Sequence, residues 1–287
     1  MADLVWLASF PKAGNTWLRI LLANYLDNGD EPADINALRA TPIASSRLWF
    51  DEWAGVESAQ LDAETIANLR PQVYRCVARA AEERRYLKVH DQWGLTPAGE
   101  PMFPADVTAG VVYIVRNPLD QVASLANHGG NSLEAAARAI CGEASPAPVV
   151  RQYPDQLDQR LGGWLGHATS WVEQSGLPVH LVRYEDLRAD TAGEFGAALR
   201  FLGEEPEPEP ERVARAVAFS SFKELRRQEE EHGFHERLAQ SSGPFFRQGR
   251  SGGWREELSA ELVAKVVDAC GPLMQRLGYL DEDGTPR

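Results

Sequence analysis

The chain has 287 residues with 44% hydrophobic and 25% charged positions, an ordinary globular composition that supplies a full core for one domain, at most two. Its 29 basic residues face 42 acidic ones, giving a net charge of -13, which excludes an extended nucleic-acid groove or a footprint on an anionic membrane. Eleven of the acids lie in three short runs, Glu204–Glu211, Glu229–Glu231 and Asp281–Asp283, so the remainder carries only -2. Four basic residues are lysines (Lys12, Lys88, Lys223, Lys265) and 25 are arginines.

Leu4 to Phe10 is a short apolar run ending at Pro11, and Gly14 to Asn28 then carries apolar residues at helical spacing (Trp17, Leu18, Leu21, Leu22, Tyr25), which predicts strand, loop and helix. Tyr86–His90 and Val111–Val115 read as two further buried strands, the second leading through Arg116–Asp120 into a helix that contains Ser124. Val179–Arg183 is a fourth strand, followed by helical sequence from about 189 to 202. Between them lie helical stretches at roughly 59–84, 132–142 and 155–175, and three more are predicted towards the C-terminus. Strands alternating with helices predict one α/β domain, a central parallel sheet flanked by helices. Glu204–Glu211 reads as a rigid surface loop, and the Gly-, Ser- and aromatic-rich 233–253 as a long functional loop.

No apolar run reaches the length of a membrane span, and the first residues lack a secretory pattern. Three scattered cysteines (Cys76, Cys141, Cys270) offer neither a disulfide framework nor a zinc site, as expected of a cytoplasmic protein without a bound metal.

Three segments have the chemistry of phosphate binding. Ser9-Phe-Pro-Lys-Ala-Gly-Asn-Thr-Trp17 lies between the first strand and helix, where backbone N–H groups and the helix dipole converge on an anion. Gly14 permits close approach, Thr16 offers a hydroxyl and Lys12 a full charge. The order differs from a Walker A loop, since the lysine precedes the glycine. Arg116 closes the third strand with Ser124 about two helical turns on, and Phe246-Arg-Gln-Gly-Arg-Ser-Gly-Gly-Trp254 is cationic and glycine-rich. Together they favour a ligand with two phosphate groups.

These segments resemble a known family. Ser9–Trp17 is similar to the 5′-phosphosulfate loop of the cytosolic-type sulfotransferases, Tyr113–Asp120 through Ser124 to their 3′-phosphate segment, and Phe246–Trp254 to their R-K-G-x-x-G-D-W-K loop. Leu87-Lys-Val-His90 resembles the K-T-H that carries a catalytic histidine, and Tyr184–Leu187 and Ser220–Phe222 match two shorter landmarks. The resemblance runs from about residue 4 to 255. It implies a P-loop-like nucleotide-binding fold and transfer of a sulfuryl group from 3′-phosphoadenosine-5′-phosphosulfate (PAPS) to a hydroxyl of a small-molecule acceptor, leaving PAP. In that reading His90 is the general base, Lys12 offsets charge on the leaving oxygen and Lys88 contacts the sulfuryl oxygens. Ala13, Gly14, Asn15 and Thr16 belong to the 5′-phosphate loop, and Arg116, Ser124, Arg247, Gln248 and Gly249 to the 3′-phosphate site. Trp17 and Phe222 sandwich adenine, with Tyr184 and Ser220 at its edge.

Two positions depart from the pattern: Gln248 replaces a usual Lys, and Gly253 a usual Asp. The dimer motif that follows Trp254 in vertebrate-type members is largely absent over Arg255–Ala264, which leaves the oligomeric state open. The acceptor pocket is expected from the stretches left over, about 40–55 with Trp49, Phe50 and Trp53, 91–105 with Trp93 and Phe103, 128–160, and 232–246, with His128, His232 and His235 as further candidates. Two alternatives from other classes are an ATP-dependent P-loop kinase, which requires a Walker A loop and a magnesium-binding Asp, and a non-catalytic adenosine-nucleotide binding protein, which has no need of both Lys88 and His90.

Overall fold

All four predicted strands form, and they lie side by side. In the computed structural model, which describes residues 4–38, 41–143, 155–205 and 207–287, β1 (Leu4–Ala8), β2 (Arg85–Val89), β3 (Thr108–Val115) and β4 (Val179–Arg183) make one parallel sheet in the order β2-β1-β3-β4. Alternate residues of β1 serve opposite faces. Leu4, Trp6 and Ala8 join one apolar cluster with Val111, Tyr113 and Val115 of β3, while Val5 and Leu7 join another with Val112 and Ile114. A sheet buried on both sides needs such continuous apolar strands.

Helices cover both faces. On the Val5 side pack α1 (Asn15–Asp27), α7 (Tyr184–Ala189), α8 (Thr191–Leu202) and α9 (Pro210–Phe219). On the Trp6 side pack α3 (Ala63–Ala80), α4 (Pro118–Gly129), α5 (Leu133–Ile140), α6 (Trp164–Thr169) and α12 (Ala260–Arg276). The short α2 (Arg47–Ala54) sinks Phe50 against Val73 and Leu157, α10 (Phe222–His232) lies beyond α9, and α11 (Trp254–Glu257) precedes α12. The long 233–253 segment contains no helix or strand. No helix among the described residues is long and apolar enough to cross a membrane.

One element differs from expectation. The stretch 155–175 is helical only from Trp164, as α6 and a wide turn over Ser170–Gln174. Residues before it are held in extended form by other partners: Arg47 N–H donates to the Asp155 carbonyl at 2.8 Å, Leu157 N–H to Ser45 at 2.7 Å, and Gln92 N–H to Arg160 at 2.6 Å. Gly162, with φ 59°, and Gly163 then break the chain before α6.

Candidate active site

The C-terminal ends of β1, β2 and β3 open into a cavity of about 800 Å³, which is where a parallel sheet places ligands. Its floor is the turn from β1 into α1. Gly14 caps the helix with φ 111°, and a Cβ there would come within 2.7 Å of the Tyr184 ring, so only glycine lets ring and backbone approach this closely. Lys12 also has a positive φ, 69°. Asn15 turns its amide away from the cavity, donating to the Leu7 carbonyl at 2.7 Å and to Ser9 Oγ at 3.2 Å; it braces the loop while its own backbone faces the cavity end of α1. Trp17 meets Tyr184 edge-on at 5.8 Å and donates from its indole to the Ser220 carbonyl at 2.9 Å. Phe222, 40% exposed, stands over Gly249 so closely that any side chain at 249 collides with its ring.

Arg116 reaches this end from β3. Its guanidinium lies 4.4 Å above the Tyr184 ring and donates to the Lys12 carbonyl at 3.4 Å and the Arg250 carbonyl at 3.1 Å, while its Nε is buried without a partner. Nearby, Arg247 makes a two-pronged pair with Glu257 at 2.6 and 2.9 Å, and Arg188 donates to the Gly249 carbonyl at 2.6 Å. Three arginines, Ser124 and Gln248 therefore line one end of the cavity.

The other end carries Lys12, Lys88 and His90. His90 Nδ1 lies 2.9 Å from the Ser9 carbonyl, which can only accept, so Nδ1 holds the proton and Nε2 the lone pair. Burial, then the neighbouring Lys88 ammonium, holds this imidazole well below the usual histidine range, and the ring is neutral at physiological pH. The peptide beneath it is fixed as well: buried His167 donates from Nε2 to the His90 carbonyl at 3.0 Å and accepts from the Tyr113 hydroxyl at 2.8 Å. Lys12 sits 3.4 Å from the centre of the Phe245 ring. Burial and the cations Lys88 and Arg116 lower its ammonium to about 7. Lys88 donates to Glu236 at 2.9 Å, and the same carboxylate accepts from Arg19 at 2.5 Å and from the Thr16 hydroxyl at 3.2 Å.

Around His90 two backbone segments form a wall. Lys88 exchanges hydrogen bonds at 2.9 Å with Pro42 and Ala44, and Arg160 N–H donates to the Asp91 carboxylate at 3.2 Å. Ile43, Asp155, Gln156, Gln159 and Leu161 line the cavity from these segments, and Phe245 and Leu238 line it as well.

Comparison with known proteins agrees with this geometry. A family model described as a sulfotransferase domain matches residues 2–278. The human sulfotransferase 1E1 (Homo sapiens) is 32% identical over 273 residues, 92% of this chain and 80% of that protein. The chain belongs to the sulfotransferase family. Luciferin sulfotransferase of Photinus pyralis is 24% identical, over 92% of this chain and 69% of its own length. Among solved structures, a retinol dehydratase in complex with androsterone and PAP has a TM-score of 0.61 at 17% identity, covering 95% of this chain and 80% of that one. The mouse sulfotransferase SULT7A1 complexed with PAP gives 0.59 at 18%, covering 95% and 84%. These two likenesses show that the fold is shared.

In this sulfotransferase nearly every residue singled out from sequence meets in the one cavity: Lys12, Gly14, Asn15, Thr16, Trp17, Lys88, His90, Arg116, Ser124, Tyr184, Ser220, Phe222, Arg247, Gln248 and Gly249 all line it. Ala13 does not, being 1% exposed in the apolar cluster of α1. The acceptor-side expectation needs more correction. Phe50 and Phe103 are core residues at 1% and 0% exposure, and Trp49, Trp53 and Trp93 pack onto that core. None of the five lines the cavity. Among the described residues, the stretch 91–105 contributes nothing to it, and 40–55 only Ile43. His128 and His235 line the cavity, whereas His232 does not. Residue 40 and residues 144–154, part of the expected acceptor stretches, lie outside the described residues, as does Pro206 in the acidic loop. Arg19 and Glu236 were not foreseen. Arg19 stands three residues after Thr16, on the same face of α1; Glu236 has no local signal at all.

Asp91 supports the site from below. Its carboxylate holds Arg70 at 2.7 and 3.1 Å, with side chains only 4% and 3% exposed, and its carbonyl accepts from Trp171 at 2.9 Å. Replacing Asp91 by Ala leaves a buried guanidinium unpaired, and a loss of about 3–5 kcal/mol in unfolding free energy is expected. Urea denaturation measures it; a loss under about 1 kcal/mol contradicts this role of the pair.

Proposed function

We propose that the chain transfers the sulfuryl group of PAPS to a hydroxyl of a small-molecule alcohol or phenol, with His90 as general base. The observation that carries this reading is a neutral histidine, with its proton on Nδ1 and the lone pair on Nε2, lining one cavity with the two lysines Lys12 and Lys88. The cavity fits a donor with two anionic ends. One end offers the helix N-terminus at Gly14–Thr16 with Lys12 and Lys88, the other Arg116, Ser124, Arg247 and Gly249, and Arg116 Nε is an orphaned buried donor. Between them Trp17, Tyr184 and Phe222 present aromatic surfaces of the kind that hold a purine.

When bound, PAPS supplies a sulfur already bonded to a good leaving group. The protein's part is to place the acceptor hydroxyl at His90, take its proton at Nε2, and hold positive charge where the phosphate oxygen becomes anionic. Lys12 and Lys88 provide that charge, and a sulfuryl group, less charged than a phosphoryl group, makes do with two ammoniums in place of magnesium. Ile43, Leu161 and Phe245 offer the acceptor apolar contact, and Gln156 and Gln159 offer amides.

PAP and PAPS at a hundredfold excess over their dissociation constants should raise the melting temperature by about 5 °C or more, since ligation there adds ~2.7 kcal/mol. ATP with magnesium should not. Stabilisation by ATP and not by PAP favours the kinase alternative and sinks the donor assignment.

A further inference from the structure

One charged cluster at the cavity is not explained by the residues foreseen from sequence. One carboxylate, Glu236, collects Arg19 at 2.5 Å, Lys88 at 2.9 Å and Thr16 at 3.2 Å. Arg19 and Lys88 are buried, with side chains 5% and 11% exposed, and Arg19 is oriented from its other side by the Thr41 hydroxyl at 3.0 Å. All four groups line the cavity beside His90. Burial by itself would raise the Glu236 carboxyl, but Lys88 and Arg19 outweigh it and hold it well below the usual carboxylate range. It is an anion, lodged among a cation and a hydroxyl that the donor reading gives to the phosphosulfate.

Glu236 does not come from the scaffold. It sits in the 233–253 segment, which is pinned on both sides of it. His235 N–H donates to the Asn36 side chain at 2.8 Å, and the Phe245 and Phe246 N–H groups donate to the Glu229 carboxylate at 2.6 and 3.0 Å. Between these anchors Ser241 Oγ donates to the His128 carbonyl at 2.8 Å. The Glu236 side chain can therefore leave the cluster by a change of rotamer or of a few backbone torsions while the segment stays in place.

We propose that Arg19, Lys88 and Thr16 form one anion subsite for the sulfated 5′ end of the donor, with Arg19 joining Lys12 and Lys88 as a third cation there, and that Glu236 is an internal placeholder which the donor displaces. The proposal rests on reading the cavity as the PAPS site. Its chemistry follows from two facts about buried ions. Two buried cations without a counter-ion are costly, so the ligand-free protein needs an anion of its own at that place. A carboxylate and an incoming phosphate or sulfate cannot share it, because like charges a few ångströms apart repel strongly where water is scarce. Binding of the donor is thus an exchange of one anion for another, and its affinity is what remains after Glu236 has been released.

The test is calorimetric titration of the full chain with PAP and with adenosine 3′-phosphate, which lacks the 5′ anion. Glu236→Gln should bind PAP about tenfold more tightly than the unmodified protein and adenosine 3′-phosphate with unchanged affinity. Arg19→Gln should bind PAP about tenfold more weakly, again without effect on adenosine 3′-phosphate. Either variant, if it folds, suffices, and circular dichroism establishes that it does. Unchanged or weaker PAP binding by Glu236→Gln, or equal shifts for both nucleotides, overturns the exchange. Undiminished PAP binding by Arg19→Gln removes Arg19 from the subsite. If the unmodified protein binds no PAP, the donor reading itself fails, an outcome distinct from PAP binding that Glu236 does not influence.

Discussion

His90→Ala should cut turnover by about 10²–10⁴-fold, the span expected when a general base is removed, while the thermal shift produced by PAP stays as it was. The size of the loss should depend on the acceptor. An aliphatic alcohol holds its proton tightly and needs the full help of Nε2; an acidic phenol already sheds its proton near neutral pH and loses less. The variant's rates across a series of acceptors of falling hydroxyl pKa therefore measure how much of the barrier is proton removal. Equal losses for all acceptors, or an undiminished rate with an aliphatic alcohol, contradict the assignment. Because His90 is held well below the usual histidine range by burial and by Lys88, the base stays unprotonated as pH falls through 6, and the acid-side decline should begin only below that.

A second large effect is expected at Lys12. Its replacement by Ala removes the ammonium nearest the proposed leaving oxygen, and kcat should fall by about 10²–10³-fold, as when one donor to a developing anion is lost. Its pH behaviour is more diagnostic. Burial and nearby cations lower the free protein's Lys12 to about 7, so the ammonium is present below that pH and lost as pH rises through it. Since kcat/KM reports the free enzyme and kcat the complex, kcat/KM for the donor should decline above about pH 7. A bound polyanion favours the charged lysine, so the corresponding limb of kcat should lie at higher pH. A profile of kcat/KM that is flat from pH 6 to 9 contradicts this account.

Much of the proposed donor end was legible because it is local. Ser9–Trp17 is one continuous turn, and the needs of an anion there (a glycine, a hydroxyl, a lysine, a helix start) fall within a few residues of one another. The four strands were legible for a related reason, since a parallel sheet buried on both faces writes itself as unbroken apolar runs. What was not legible depends on residues far apart. Glu236 meets Lys88 across 148 positions and Arg19 across 217, and nothing around Glu236 marks it off from the other acids of that region. The aromatics of α2 and of 91–105 misled for the opposite reason. A Trp or Phe in an irregular segment has the same composition whether it faces a ligand or a core, and Phe103, stacked 5.9 Å from Tyr74 and tilted 4.7 Å from Trp171, faces the core. The helix expected before Trp164 has suitable apolar spacing, yet hydrogen bonds to 45, 47 and 92 claim the backbone first.

Those same hydrogen bonds have a consequence for how such a protein diversifies. The wall beside His90 is tied together by main-chain groups, Arg47 to Asp155, Leu157 to Ser45, Gln92 to Arg160, so its shape depends little on which side chains it displays. Exchanging the side chains of Ile43, Gln156 and Gln159 leaves these main-chain bonds, and those joining Pro42 and Ala44 to Lys88, in place. On the proposed reading, acceptor preference is a property that can be retuned by mutation of three or four positions at small folding cost, whereas donor preference depends on the ends of the sheet. A combinatorial library confined to residues 43, 156, 159 and 161 is the natural place to select new acceptors for this scaffold.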